Sequence, residues 1–302
     1  HEAMAEASRC LYCSDAPCIH SCPTAIDIPE FIRSITTENL TGSAKTILRS
    51  NILGHSCARV CPVNVLCEGS CVYNELGEKP VSIGRLQRYS TVHAYSLDEK
   101  LFEAGPDTGK KVAIIGAGPA GLACAHELRL AGHGVTIFEA RAIPGGLNTS
   151  GIAPYKLHAV DALKEVDYIL SIGGIEVRYN TALGRDISLD EIEKEFDATF
   201  IGVGLGEDSL LNVDGKDLTG VIGAVEWIEQ VKLNPNYNLP DHVRQVVVVG
   251  GGNTALDVMR ESLLLGLDEV TLVYRRNEPS MSGYSHEWRE AKLKGAQANW
   301  CS

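Results

Sequence analysis

The 302-residue chain sets 27 lysines and arginines against 39 aspartates and glutamates, a formal net charge of −12, with 44% apolar and 22% charged residues. This is ordinary globular composition: it excludes disordered, collagen-like and coiled-coil classes, and the acidic excess repels nucleic-acid backbones and anionic membrane surfaces. No stretch approaches the ~20 apolar residues of a membrane span, the longest β-branched run being Val246-Val247-Val248-Val249.

The chain opens His1-Glu2-Ala3-Met4-Ala5-Glu6, with neither a basic nor an apolar leader region, so a reducing, cytoplasmic setting is expected. Its first residue is not methionine and its last falls inside a repeating pattern, so it reads as a piece of a longer protein. Eight of the ten cysteines lie within the first 71 residues. Residues 1–104 read as short helices between cysteine-rich loops: one opens at Ile28 with Pro29 in its first turn, a second covers 42–52 and a third 83–95. After the turn-rich segment 105–110 the texture changes. A strand at 111–115, a helix at 119–131 and a strand at 134–138 form a βαβ unit. A helix at 156–171, a strand at 175–179, an acidic helix at 189–195 and a strand at 198–203 continue it. Residues 234–240, rich in asparagine and proline, break the pattern. A second βαβ unit then opens with a strand at 245–249, a helix at 253–265 and a strand at 269–274, only two strands before Ser302.

Gly116-Ala117-Gly118-Pro119-Ala120-Gly121 follows a strand and opens a helix, and Glu139 ends the next strand. The first glycine makes the turn, the second admits a pyrophosphate, the third packs helix on strand, and the acid accepts from a ribose. This is a dinucleotide site, for FAD or NAD on the motif alone. Gly250-Gly251-Gly252-Asn253-Thr254-Ala255 occupies the same place in the second unit, where the next strand ends in Arg275-Arg276 instead of an acid. Arginines at that edge either pair with a ribose 2′-phosphate, favouring NADP, or are solvated. Two such units in tandem imply a flavin reduced by a pyridine nucleotide. The cysteines run Cys10-x2-Cys13-x4-Cys18-x3-Cys22-Pro23, Cys57-x3-Cys61-Pro62 and Cys67-x3-Cys71. Closure of cysteine runs by Cys-Pro is the ferredoxin pattern and points to two [4Fe–4S] clusters, with structural zinc sites as the alternative.

Arg9-Cys10-Leu11-Tyr12-Cys13, Cys22-Pro23-Thr24-Ala25-Ile26-Asp27-Ile28-Pro29, the segment 54–71 and Ile83-Gly84-Arg85-Leu86-Gln87-Arg88 resemble the N-terminal half of dihydropyrimidine dehydrogenase. The likeness is strongest to the separate flavin subunit of the bacterial NAD-dependent enzymes, with the glutamate synthase small subunit a relative. The resemblance implies Cys10, Cys13, Cys18 and Cys71 on one cluster and Cys22, Cys61, Cys67 and Gln87 on the other, leaving Cys57 a free thiol. It implies FAD in the first unit, NAD(P)H in the second, and flavin contacts from Gly146, Leu147 and Lys156. Arg275 matches a 2′-phosphate-binding residue of the NADPH-using members, but Ser282 stands where they carry another arginine, which leans toward NADH.

The expected architecture is α/β: a helical iron–sulfur domain over 1–108, an incomplete FAD domain over 109–241, and the first part of an NAD(P)H domain over 242–302. The expected function is electron entry, from NAD(P)H through FAD and two clusters to an FMN- and iron–sulfur-containing subunit that reduces pyrimidines, within a hetero-oligomer. No acid–base residue is required. A glutamate synthase or ferredoxin-linked transhydrogenase subunit would run the same chemistry. A zinc-stapled nucleotide-binding module or a scaffold without turnover is the reading of another class.

Overall fold

A computed structural model describes residues 1–97, 100–206, 208 and 212–302. The polypeptide divides into two compact units, one of residues 1–146 and 160–204, the other of 147–159 and 205–302. The segment 109–241 is therefore shared between the two.

The first unit begins with six helices: α1 (Glu2–Ala7), α2 (Pro17–His20), α3 (Ile28–Thr36), α4 (Leu40–Ser50), α5 (Gly54–Val60) and α6 (Ile83–Ala94). Their starts follow from capping chemistry. Asp27 accepts from the Glu30 amide at 3.1 Å and Asn39 from the Gly42 amide at 2.9 Å, satisfying donors that the first turn leaves unpaired. Then come β1 (Lys111–Ile115), α7 (Pro119–Leu130) and β2 (Gly134–Phe138). After a four-residue helix, α8 (Leu147–Ser150), which belongs to the second unit, follow α9 (Ala159–Leu170), β3 (Ile175–Arg178), α10 (Leu189–Glu195) and β4 (Ala198–Ile201). The four strands make one parallel sheet in the order β3-β2-β1-β4.

Two cores stabilise this unit. Phe31, Ile32, Ile35, Ile47, Ile83 and Leu86 pack together beneath the cysteine loops. In the other, Ala44 and Leu48 of the helical segment join Ile114, Leu122, Val135 and Ile137 around the sheet. The sequence boundary near 108 is thus not a break in packing: helices and sheet share apolar side chains.

The second unit holds α11 (Ala224–Leu233), β5 (Gln245–Val249), α12 (Asn253–Leu264), β6 (Glu269–Tyr274), α13 (Ser285–Leu293) and β7 (Gln297–Trp300). Its parallel sheet runs β5-β6-β7 around Ile228, Leu256, Met259, Leu272 and Trp288. This corrects the sequence reading, which ends the unit after two strands. Gln297-Ala298-Asn299-Trp300 lacks the β-branched content that marks a strand alone, and is extended because it pairs with Thr271–Tyr274. The helix expected at 156–171 begins instead at Ala159, because Tyr155 and Lys156 are held in a turn by carboxylates of α12 and α13. No helix among the described residues is long and apolar enough to cross a membrane.

Leu122, 0% exposed between α7 and the sheet, makes the packing testable. Leu122→Ala should lower the unfolding free energy by about 2–5 kcal/mol, the usual cost of truncating a buried leucine, as read by urea denaturation.

Candidate functional site

Bent backbone presents the thiols. Cys10 leaves α1 with its amide on the Ala7 carbonyl at 3.1 Å. Tyr12 (φ 52°), Ala16 (φ 33°) and Ala25 (φ 49°) then take left-handed conformations that cost a non-glycine residue roughly 1 kcal/mol or more each. Such strain persists where surrounding structure demands it. Here the loop turns Cys10, Cys13 and Cys18 toward Cys71, and the four line one pocket walled by Ile28, Ile32, Val81 and Ile83. Among the described residues no three histidine, cysteine, aspartate or glutamate side chains form a group that could hold a single metal ion. Four thiols lining one pocket are a donor set that a [4Fe–4S] cluster can use.

The other thiols gather at the end of α5. Cys61 caps that helix, with Cys57, Cys67 and Cys22 as its neighbouring thiols. Cys57, one turn back, lies within hydrogen-bonding reach of Cys61 and of Gln87. Gln87 is buried in α6 and its Nε2 donates to the Gly54 carbonyl at 2.8 Å. With the amide nitrogen so tied, Oε1 is the end left for a metal.

Burial pushes Cys18 up to about 11 and Cys67 up to about 12, and raises Cys10 as well. Cys57 is drawn down to about 7 by its hydrogen bond from Cys61, and that bond pushes Cys61 up. Desolvated thiols so close together ligate as thiolates only if a positive centre offsets their charge. Iron of a cluster is such a centre, so the donor set fits.

The first glycine loop is set by steric limits. Gly116 has φ +101° and a Cβ there would lie 2.5 Å from the Gly202 carbonyl, while one on Gly121 would lie 2.0 Å from the Gly116 carbonyl. Gly118 caps α7, Pro119 opens it and Ala120 follows, so the first-turn amides face outward as an anion site. Glu139 is buried, with Oε2 accepting the Ala117 amide at 2.7 Å and Oε1 the Arg141 amide at 2.9 Å. It shapes the loop before any ribose arrives. Gly146 (φ +53°) closes on the same loop, a Cβ there falling 2.9 Å from the Gly118 Cα, and the Gly145 amide donates to the Ala117 carbonyl at 2.7 Å. Leu147, next along, is exposed.

The second unit repeats the device. Gly250 has φ +134° and Gly252 caps α12 in extended backbone, ahead of Asn253 and Thr254. The segment 280–284 lies over this loop: the Gly283 amide and the Ser282 hydroxyl donate to the Gly251 carbonyl at 2.8 and 3.3 Å, and the Tyr284 amide to Asn253 Oδ1 at 2.9 Å. Arg275 and Arg276 are exposed at the end of β6, Arg276 over the Tyr274 ring.

Lys156, expected as a flavin contact, is engaged by two carboxylates. Its ammonium pairs with Asp257 at 2.8 Å and Glu287 at 2.7 Å. Tyr155 adds a hydroxyl bond to Asp257 at 2.6 Å and an amide bond to Glu261 at 2.8 Å. Lys232 donates to the Asn148 and Ile152 carbonyls at 2.8 and 2.7 Å. Together these clamp residues 147–159 within the second unit. None of the pairs is visible in sequence, because the partners lie about a hundred positions away.

Residues 1–98 match the 4Fe-4S cluster domain II family of dihydropyrimidine dehydrogenase, and residues 110–299 the pyridine nucleotide-disulphide oxidoreductase family. The chain is 36% identical to the glutamate synthase [NADPH] small chain of Escherichia coli K12, over 98% of itself and 64% of that protein. It is 35% identical to the NAD-dependent dihydropyrimidine dehydrogenase subunit PreT of Salmonella typhimurium, over 97% of itself and 70% of that protein. It thus spans about two thirds of these curated relatives. Among solved structures, the oxidoreductase FprA of Mycobacterium tuberculosis, determined with NADPH, is 27% identical with a TM-score of 0.53, covering 63% of this chain and 48% of that one.

Two outcomes follow. Gly116→Ala forces a side chain into left-handed backbone against the Gly202 carbonyl, and should weaken dinucleotide binding at least tenfold in a calorimetric titration. Burial holds Lys232 down to about 8 from its ordinary 10.5. Between those values the unfolded chain binds the extra proton, so stability rises with pH, by roughly 3 kcal/mol over the window. Lys232→Met should lose that rise, as read by denaturation at pH 7 and pH 10.5.

Proposed function

The chain belongs to the pyridine nucleotide-disulphide oxidoreductase family, and from that premise we propose that it is the electron-entry part of a larger oxidoreductase, running from NAD(P)H toward a partner subunit. The observation that carries the reading is the pocket ringed by Cys10, Cys13, Cys18 and Cys71 in the same compact unit as the glycine loop 116–121.

Bound together, nicotinamide and flavin supply hydride transfer, and [4Fe–4S] clusters supply one-electron steps. Cys10, Cys13, Cys18 and Cys71 would hold one cluster; Cys22, Cys61, Cys67 and Gln87 would hold the other. The Gly54 carbonyl orients Gln87 so that Oε1 is presented. Gly116, Gly118 and Gly121, with Pro119 and Ala120, offer α7's first-turn amides to the flavin pyrophosphate, flanked by Gly146 and Leu147. Glu139 keeps lone pairs for the ribose. Gly250, Gly252, Asn253 and Thr254 do the same for the nicotinamide cofactor, with Arg275 and Arg276 at its ribose edge. Ser282 in place of a second cation there favours NADH. Lys156 serves through its ion pairs, fixing the segment that follows Gly146.

We place the protein in the cytoplasm, where its thiols stay reduced, and the final step in a partner. Likeness to PreT supports a flavin- and iron–sulfur-containing subunit that reduces pyrimidines. Equal likeness to the glutamate synthase small chain supports a second reading, with the same entry module serving glutamate synthesis.

Anaerobically prepared protein should carry about eight iron atoms per chain, as two [4Fe–4S] clusters require, and NADH should bleach its visible spectrum. Cys18→Ser should remove about half the iron and one paramagnetic signal. Zinc without iron would overturn the reading.

A further inference from the structure

One charged side chain at the meeting of cysteine helices and sheet is used by no step above. Glu165 of α9 is 0% exposed and sits at the start of α5, the helix that leads to Cys57 and Cys61. Its Oε1 accepts the His55 amide at 2.9 Å, the Ser56 amide at 3.1 Å and the Tyr95 hydroxyl at 3.1 Å, and its Oε2 accepts from the Ser56 hydroxyl. Two backbone amides and two hydroxyls thus face its carboxyl as donors and favour the carboxylate, while burial, the larger influence, pushes it up.

Among the described residues no cation forms an ion pair with this carboxyl, and Arg59, the cation that feels it, is shared with Asp161. His55 is drawn down to about 4 by burial and stays neutral, its ring between Thr91 and Arg59. Arg59 is paired at 3.2 Å with Asp161, one turn before Glu165 on α9. Tyr95 and Tyr168 meet as a tilted pair of rings, centroids 4.9 Å apart, and burial raises both phenols, which stay neutral. One arginine facing two carboxylates leaves net negative charge in a low-dielectric interior, where it acts over several ångströms, and Cys57 is within its reach.

We propose that Glu165 is a positioning residue of the second cluster: its fixed charge at the head of α5 lowers that cluster's reduction potential and ties the helix to the flavin-binding sheet. The proposal rests on the cluster reading above. A nearby negative charge disfavours the added electron, so the cluster at Cys22, Cys61, Cys67 and Gln87 is a poorer acceptor with Glu165 ionised than it would be without that charge.

The test is a redox titration of the full chain, anaerobically prepared and followed by paramagnetic resonance, with iron counted first. Wild type at about eight irons upholds the cluster reading; wild type without iron overturns it and with it this proposal. Given iron, Glu165→Gln removes the charge while keeping shape and an acceptor, and should move one cluster's potential positive and leave the other unmoved. Tyr95→Phe removes a donor dipole but keeps the charge, and should move the same signal negative. Opposite signs are what a field effect requires, whereas loosened packing would move both variants the same way. Shifts of the same sign, equal shifts in both signals, or no shift in either variant would overturn the proposal. If Glu165→Gln loads no iron, Tyr95→Phe alone decides: a negative shift confined to one signal supports it, and any other result overturns it.

Discussion

Desolvated thiols set the terms for the first hundred residues. Eight cysteines near an apolar core cannot all become thiolates without positive charge among them, and raised values at Cys10, Cys18, Cys61 and Cys67 are that constraint in local form. The surrounding fold answers it geometrically. Left-handed backbone at Tyr12, Ala16 and Ala25 aims the thiols inward, and Phe31, Ile32 and Ile83 give the loops a rigid floor. Folding and metal chemistry are then coupled: the ligand that offsets the charge also stabilises the strained loops that gather it.

The sheet is joined to these helices by shared packing, not by a flexible tether. Ala44 and Leu48 stand in the same core as Ile114 and Leu122, and Glu165 and Asp161 reach from α9 to α5. Glu139 follows the same economy: one buried carboxylate organises the glycine loop through the Ala117 amide.

Much of this was legible in sequence. The strands at 111–115, 134–138 and 245–249 announce themselves by β-branched residues, and the glycine loops by their place between strand and helix. The four thiols that line one pocket are those that the family resemblance assigns to one cluster. What sequence hid has a common cause. α5, α8 and β7 are too short for a period to emerge, and β7 is extended only because β6 pairs with it. Nothing local to Glu165 reveals the Ser56 amide 109 positions away, so the sequence assigns that acid no role. Lys156 is expected as a flavin contact for the same reason; Asp257 and Glu287 take it only once the chain has folded back.

The clamp on residues 147–159 also bears on the order in which the protein is made. Tyr155 and its partner Asp257 are separated by 102 positions, and synthesis at roughly 5–20 residues per second puts several seconds between them. During that wait the first unit gains its last strand, β4, while the clamp segment has no α12 or α13 to pair with and keeps its lysine and tyrosine hydrated. A segment rich in polar groups tolerates such a delay, where an apolar one would be captured by the nearest exposed surface. Charge in this clamp is therefore as much a safeguard for the nascent chain as a fastening for the finished one.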